Sequence, residues 1–301
     1  VHLLGQVAHG VVSVLPSGAK MDPAQIWALV EQHRITNMFT VPTIVKLLVE
    51  HPAVDQHDHS SLRHVIYAGA PMYRADQIAA LERLGPVLVQ YFGLGEVTGN
   101  ITVLPAAQHS TDGDARLGTC GFARTGMQAQ IQREDGSECD PLETGEICAI
   151  GPAVFAGYFN NPEANAKSFR DGWFRTGDLG HMDEDGYVYL TGRASDMYIS
   201  GGSNIYPREI EEKILLHPAV SEVAVLGVPN RKWGEVGLAV CVCREPVKAA
   251  DLLAWLSDKV ARYKMPHHVV FWSEMPKSAY GKITKKLILE ALIRRGQLPP
   301  E

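Results

Sequence analysis

The sequence predicts an α/β chain of two domains, a larger one over 1–194 and a small α+β domain over 195–301. Three observations carry that expectation. Apolar residues alternate between helical and strand periods from 22 to 91, the pattern of a parallel sheet covered by helices. Short strands separated by turn dipeptides then fill 115–194. Beyond Arg193 helices and strands mix again over roughly 105 residues, an ordinary domain size. A chain of 301 residues is long enough for both.

Within 1–114, Asp22-Pro23 reads as a helix start, with Asp as N-cap, Pro in the first turn, and Ile26, Leu29 and Val30 following at helical spacing. Residues 36–41 read as a buried strand and 42–50 as a helix with Ile44, Leu47 and Leu48 on one face. A strand over 62–68, a helix over 74–84 and a strand over 87–91 follow. From 115 to 194, Asp135-Gly136, Gly145-Glu146 and Asp185-Gly186 mark antiparallel hairpins. In the small domain 207–217 and 249–263 read as helices, 220–228, 236–243 and 269–272 as strands, and 284–295 as a closing helix.

Composition limits function. Hydrophobic residues make up 46% and charged residues 21%, enough for a core and too apolar for disorder. A net charge of −6 argues against sequence-independent nucleic-acid binding. No apolar run approaches the ~18 residues that span a bilayer. The start, Val1-His2-Leu3-Leu4-Gly5, has no basic segment, so the expectation is a start inside a domain and no signal peptide. Cys120, Cys139, Cys148, Cys241 and Cys243 form no CxxC pair and read as small apolar residues of a reducing compartment, with Cys241 and Cys243 on one face of a strand. The expected location is cytoplasmic.

Five clusters interrupt the apolar strands with small or charged residues. Ala68-Gly69-Ala70-Pro71 follows a strand, where ligands sit in open parallel sheets. Its small residues let a flat ring lie on the backbone, and a plain turn explains them as well. Tyr91-Phe92-Gly93-Leu94-Gly95-Glu96-Val97-Thr98-Gly99 also follows a strand. It offers an aromatic for a base, glycine N–H groups for phosphate and Glu96 for Mg²⁺, or is a Gly-rich loop with a surface Glu. Trp173-Phe174-Arg175-Thr176-Gly177-Asp178 fixes a carboxylate behind a tight turn, suited to two ribose hydroxyls. The stretch from Gly192 to Glu211 carries Arg193, Ser195 and paired Gly201-Gly202 before a helix whose Glu209 and Glu211 suit its dipole. Met275-Pro276-Lys277-Ser278-Ala279-Tyr280-Gly281-Lys282 is a loop with two lysines. A mobile ammonium stabilises charge developing on a phosphate, and a solvated lysine is the plain alternative.

In this order and spacing the clusters resemble the adenylate-forming (AMP-binding) superfamily of acyl-CoA synthetases, over nearly the whole chain and most densely from 60 to 285. The resemblance implies that 1–194 is part of a large domain, with 1–114 α/β and 115–194 a small β-barrel-like subdomain, and that 195–301 is its lid. It implies an acid–CoA ligase that uses ATP, Mg²⁺ and CoA. A carboxylate attacks the α-phosphate of ATP, and the CoA thiol then takes the acyl group from AMP. Residue by residue it implies Gly69, Ala70 and Pro71 along the adenine, Phe92 stacked on that ring, and Gly93 and Gly95 beside the nucleotide. Glu96 would be catalytic through Mg²⁺, Asp178 and Arg193 would bind the ribose, and Lys282 would be the catalytic lysine of adenylation. Ser195 stands at the hinge position, and Gly201 and Gly202 would line the path of CoA once the lid turns. Trp233 matches a CoA contact of some members, and a structural role fits it equally.

Departures from the family pattern shape further expectations. Phe92 and Gly95 stand where a YGxTE loop has Tyr and Thr, so Thr98 or backbone amides would have to serve the phosphate. Ser195 replaces the usual Asp or Lys of the hinge. No Ser/Thr/Gly-rich phosphate loop precedes Gly69, and His2-Leu3-Leu4-Gly5 resembles a stretch that lies downstream of it. The chain is therefore expected to lack the N-terminal part of the same enzyme and to adenylate poorly alone. The expected substrate is a medium- or long-chain fatty acid, with aromatic acids open, and a homodimer is compatible. An adenylation domain loading a carrier protein and a non-catalytic nucleotide-binding module remain as alternatives. His57-Asp58-His59 reads as a solvated loop rather than a metal site, and Glu209, Glu211, Glu212 and Lys213 as a solvated helix face.

Overall fold

Asp22 caps the first helix. In the computed structural model, which describes residues 8–17, 21–70, 72–109, 116–278 and 282–299, its side chain accepts the Ala24 N–H at 3.0 Å and Pro23 opens α1 (Pro23–His33). Trp27 and Val30 are the buried residues of α1, and Trp27 Nε1–H donates to Leu48 O at 3.0 Å, tying α1 to α2 (Pro42–Glu50). The buried face of α2 is Val45, Leu48 and Val49, whereas Leu47, expected inward, is 45% exposed. The apolar run in α2 is too continuous for periodicity alone to set the rotation of the helix, and packing sets it.

Strands β1 (Asn37–Thr40), β2 (His64–Tyr67) and β3 (Leu88–Phe92) pair in parallel, with α2 between the first two and α3 (Arg74–Leu84) before the third. β4 (Thr102–Leu104) and β5 (Phe122–Ala123) join antiparallel, giving the order β1-β2-β3-β4-β5. The loop from β3 to β4 is shorter than the dozen or so residues a parallel crossover needs, so the chain reverses there. Val65, Tyr67 and Leu88 meet Trp27, Leu48 and Ala80 in one core under the helices. Each fully buried large apolar side chain there contributes roughly 1.5–3 kcal/mol.

A polar cluster sits inside that core. Tyr67 Oη lies 3.0 Å from both Gln90 Oε1 and His109 Nε2, and His109 Nδ1 lies 3.1 Å from Pro105 O. Burial pushes the His109 imidazole from 6.5 down to about 4, against the opposing hydrogen bond to Pro105. Between those two values the unfolded chain binds a proton that the fold refuses. Stability is therefore full above pH 6.5 and falls as the pH drops toward 4, by at most ~3 kcal/mol. Urea unfolding from pH 7 to 4 is expected to show this loss, and His109→Gln to flatten it in that window.

The β-rich stretch forms an open sheet of order β10-β9-β7-β6, from β6 (Gln128–Gln132), β7 (Gly145–Ile150), β9 (Trp173–Met182) and β10 (Val188–Arg193), with β8 (Phe169–Arg170) on β9. The order ends at β10 and β6, β10 being joined on its outer side by a bridge from Tyr189 to Thr119, and among the described residues the barrel-like expectation resolves into a sheet that does not close. Its core gathers Ile131, Ile147, Phe174 and Val188 with Phe155 and Phe169.

The last sheet contains β11 (Tyr198–Ser200), β12 (Ser203–Ile205), β13 (Val220–Asn230), β14 (Gly234–Cys243) and β15 (His268–Trp272), with β15 parallel to β14. Ala224, Leu226, Leu238 and Val240 pack against Ile288, Ala291 and Leu292 of the closing helix, α7 (Lys285–Arg294). α5 (Pro207–Ile214) and α6 (Ala249–Leu256) both end short of expectation. After α6, Ser257 Oγ donates to Ala254 O and Lys259 Nζ to Trp255 O, side chains competing for the helical carbonyls. Glu211, expected in solvent, is buried: it accepts Val225 N–H at 2.7 Å and pairs with Lys285.

The chain divides into two units, Val1–Thr176 with Gly180–Leu190, and Gly177–Leu179 with Thr191–Glu301. All five cysteines are free; Cys120, Cys148 and Cys241 are buried, and burial pushes the thiols of Cys148 and Cys241 up to about 12. Among the described residues no helix is long and apolar enough to cross a membrane.

Candidate active site

β2 and β3 lie side by side in the first unit and both are followed by small residues. Past β2, Ala68 N–H donates to Thr40 O at 3.2 Å, and Gly69 turns the chain at φ 81°, a conformation that favours glycine; Ala70 follows, half-buried. Pro71 lies outside the described residues. Past β3, a Cβ on Gly93 would stand 2.6 Å from Asn100 Cα and 2.8 Å from Gly99 O, so only glycine lets the returning loop pass. Gly95 is different: nothing lies within 4 Å of where its Cβ would be, so packing does not demand glycine there. Phe92 is 8% exposed and packs with Val97, Ile101 and Met127.

Glu96 sits half-buried in a 3₁₀ turn, Gly95–Val97. Its Oε1 accepts from Tyr158 Oη at 3.0 Å, and its backbone O accepts from Phe155 N at 2.7 Å. Thr98 donates its hydroxyl to Ala153 O at 2.7 Å. That hydroxyl has one proton, and this bond uses it.

Mg²⁺ fits this carboxylate as an ion shared with a substrate. Mg²⁺ takes one or two carboxylates and completes its shell with water and phosphate oxygens. Among the described residues no three acidic, His or Cys side chains gather into a metal cage. His57 is instead 2.8 Å from Glu31, whose other oxygen accepts Asp58 N–H at 3.1 Å.

In the second unit, pairing of β9 with β10 brings Asp178 and Arg193 together. Arg193 Nε donates to Asp178 Oδ1 at 2.9 Å; the carboxylate is buried and the guanidinium exposed. A turn follows in which Asp196 N–H and Met197 N–H both donate to Arg193 O. Ser195 lies exposed on that turn.

Gly201 and Gly202 form the two-residue turn between β11 and β12, at φ 57° and 83°. A turn with positive φ at both central residues suits the strand twist and disfavours side chains. Gly201 N–H donates to Trp233 O at 2.8 Å, and a Cβ on Gly201 would stand 2.9 Å from Trp233 Cε3. Trp233 is 43% exposed at the β13–β14 tip, where Asn230 Oδ1 accepts from the N–H groups of Lys232 and Trp233. The three residues singled out for CoA thus meet at one place.

Lys282 N–H donates to Ser278 Oγ at 3.1 Å, and Ser278 N–H to Lys282 O at 2.8 Å, closing the loop before α7. Lys277 pairs with Glu222 and Lys285 with Glu211. Among the described residues of this unit, the Lys282 ammonium has no such partner. Tyr158 is the functional candidate that sequence reasoning missed, because nothing in Gly157-Tyr158-Phe159 points to a carboxylate far upstream.

A family model described as AMP-binding enzyme matches residues 1–159, and one described as AMP-binding enzyme C-terminal domain matches 209–282. The medium/long-chain-fatty-acid–CoA ligase FadD8 of Mycobacterium tuberculosis is 36% identical, over 90% of this chain and 48% of its own length. A feruloyl-CoA synthase of Amycolatopsis is 39% identical, over 88% of this chain and 53% of its own. The solved o-succinylbenzoate coenzyme A synthetase (MenE) of Bacillus subtilis, in complex with ATP and magnesium ion, is 32% identical with a TM-score of 0.81, covering 95% of this chain and 57% of that one. The chain spans about half the length of the curated relatives it matches. Two family models in the expected order, and relatives this similar along nearly all of the chain, establish that it belongs to the AMP-binding enzyme family.

Proposed function

We propose that the chain is part of an AMP-forming acid–CoA ligase and carries its ribose, Mg²⁺ and CoA contacts and its adenylation lysine. One observation supports this most. The second unit presents, on separate elements, a ribose-suited ion pair, a turn without side chains and a lysine uncommitted among the described residues of that unit.

In the first step the acid's carboxylate oxygen attacks the α-phosphorus, the bond to the β-phosphate breaks, and acyl-adenylate and pyrophosphate form. Charge builds on the α-phosphate oxygens, and Lys282 is the cation to meet it. Asp178 accepts from the ribose hydroxyls while Arg193 holds the carboxylate. Glu96 is the ligand for Mg²⁺, which when bound offsets phosphate charge. In the second step the CoA thiol loses its proton to solvent and attacks the acyl carbon, and AMP leaves with the bridging oxygen. Gly201 and Gly202 give the pantetheine arm a bare backbone to pass along, beside Trp233. Ser195 is the hinge about which the second unit exchanges Lys282 for that turn. Gly69, Ala70, Pro71 and Phe92 line the adenine, and the amides at Gly93 and Gly95 face phosphate.

The relatives' names support acid–CoA ligation and range from fatty to aromatic acids. We place the substrate among medium- or long-chain fatty acids. The test is an acid panel on the complete protein, reading AMP with CoA, a carrier protein or no acceptor. Acid-dependent AMP with CoA thioester supports the reading. Transfer to the carrier alone replaces CoA ligation with carrier loading, and no AMP with any acid overturns both.

Gly201→Ala gives a separable prediction. The new methyl must move the Trp233 ring and adopt a strained φ. Thioester formation from supplied acyl-adenylate is expected to slow by ~10-fold or more, with adenylation unchanged, in single-turnover assays.

A further inference from the structure

Tyr158 is held more firmly than a residue of a surface loop needs to be. Its N–H donates to Asn165 Oδ1 at 2.7 Å and its C=O accepts from Asn165 Nδ2 at 3.1 Å, so one amide on α4 (Pro162–Ser168) grips both backbone groups. Its ring stands edge-on to Phe155 at 4.8 Å, and Phe155 is locked in turn against Phe169 and Phe174. The hydroxyl on this fixed ring reaches Glu96 Oε1 at 3.0 Å. Two further bonds join the same pair of segments, Phe155 N–H to Glu96 O and Thr98 Oγ1 to Ala153 O, both at 2.7 Å.

We infer that Tyr158, backed by Asn165, is a positioning residue that presets the Glu96 carboxylate for a divalent cation shared with the nucleotide's phosphates. This rests on the reading of Glu96 given above. A free Glu side chain loses rotamer entropy when it is fixed. Here one oxygen is tied before any ligand arrives, so the torsions are set and Oε2 is left for the cation. Partners that orient a ligand in this way usually matter ~10- to 100-fold in metal affinity.

The test is binding, not turnover. The complete protein is titrated with Mg²⁺ in the presence of a fluorescent ATP analogue. Tyr158→Phe removes only the hydroxyl, and is expected to raise the Mg²⁺ midpoint by ~10-fold while the metal-free affinity for the analogue stays within about twofold. Asn165→Ala, which frees the tyrosine's backbone, is expected to move the midpoint the same way. If Glu96→Gln moves the midpoint and Tyr158→Phe does not, the positioning role is wrong and the Glu96 assignment stands. If neither moves it, the Glu96 assignment fails and takes this inference with it.

Discussion

Lys282→Ala in the complete protein is expected to slow acyl-adenylate formation by ~10²- to 10³-fold, while supplied acyl-adenylate still reacts with CoA at close to the normal rate. The asymmetry is the point. In the first step charge builds on the α-phosphate oxygens with Lys282 beside them, whereas in the second, on the proposed turn about Ser195, Lys282 has given way to the Gly201–Gly202 turn; an ammonium is worth most when water is excluded. Two lysines near it in sequence are already engaged: Lys277 is held by Glu222 and Lys285 by Glu211. Rapid-quench measurement of pyrophosphate release, run beside a thioester assay that starts from acyl-adenylate, checks both halves. Equal losses in the two steps would point to a damaged fold instead.

Asp178→Asn is expected to weaken AMP and ATP binding by ~100-fold, because two charge-assisted hydrogen bonds to a diol are together worth roughly 3 kcal/mol. The change is isosteric, so the buried site keeps its shape and loses its charge. Arg193 then loses its anion and with it the reason to stay in place. Asp183→Asn is the control: that carboxylate pairs with Arg116 at 2.9 Å, and nucleotide affinity is expected to stay put. Calorimetric titration of AMP into the two variants separates them.

Much of this was legible in the sequence wherever a local rule had no competitor. Asp22 with Pro23 opens α1, and Pro42 and Gly85 bracket the next two helices, because caps and prolines act within a few residues. The pairing of Gly201 and Gly202 was visible, but the strands β11 and β12 that they join were not, each being only three residues long. What stayed hidden is long-range. Glu211 looks like a solvated helix residue until Lys285 and the Val225 amide arrive from elsewhere in the chain. Thr98 looks free until Ala153 takes its proton, and Tyr158 declares itself only through Glu96. The overlong reading of α6 has another cause: apolar spacing continues past Leu256, while Ser257 and Lys259 draw the last carbonyls out of the helix.

The most direct test of the account follows an oxygen atom. The complete protein is given an acid labelled with ¹⁸O in its carboxylate, ATP and CoA, and the phosphorus-containing products are examined by ³¹P NMR. Attack by the carboxylate on the α-phosphorus predicts one labelled oxygen in each AMP and none in pyrophosphate. Label in inorganic phosphate, with ADP in place of AMP, would contradict it.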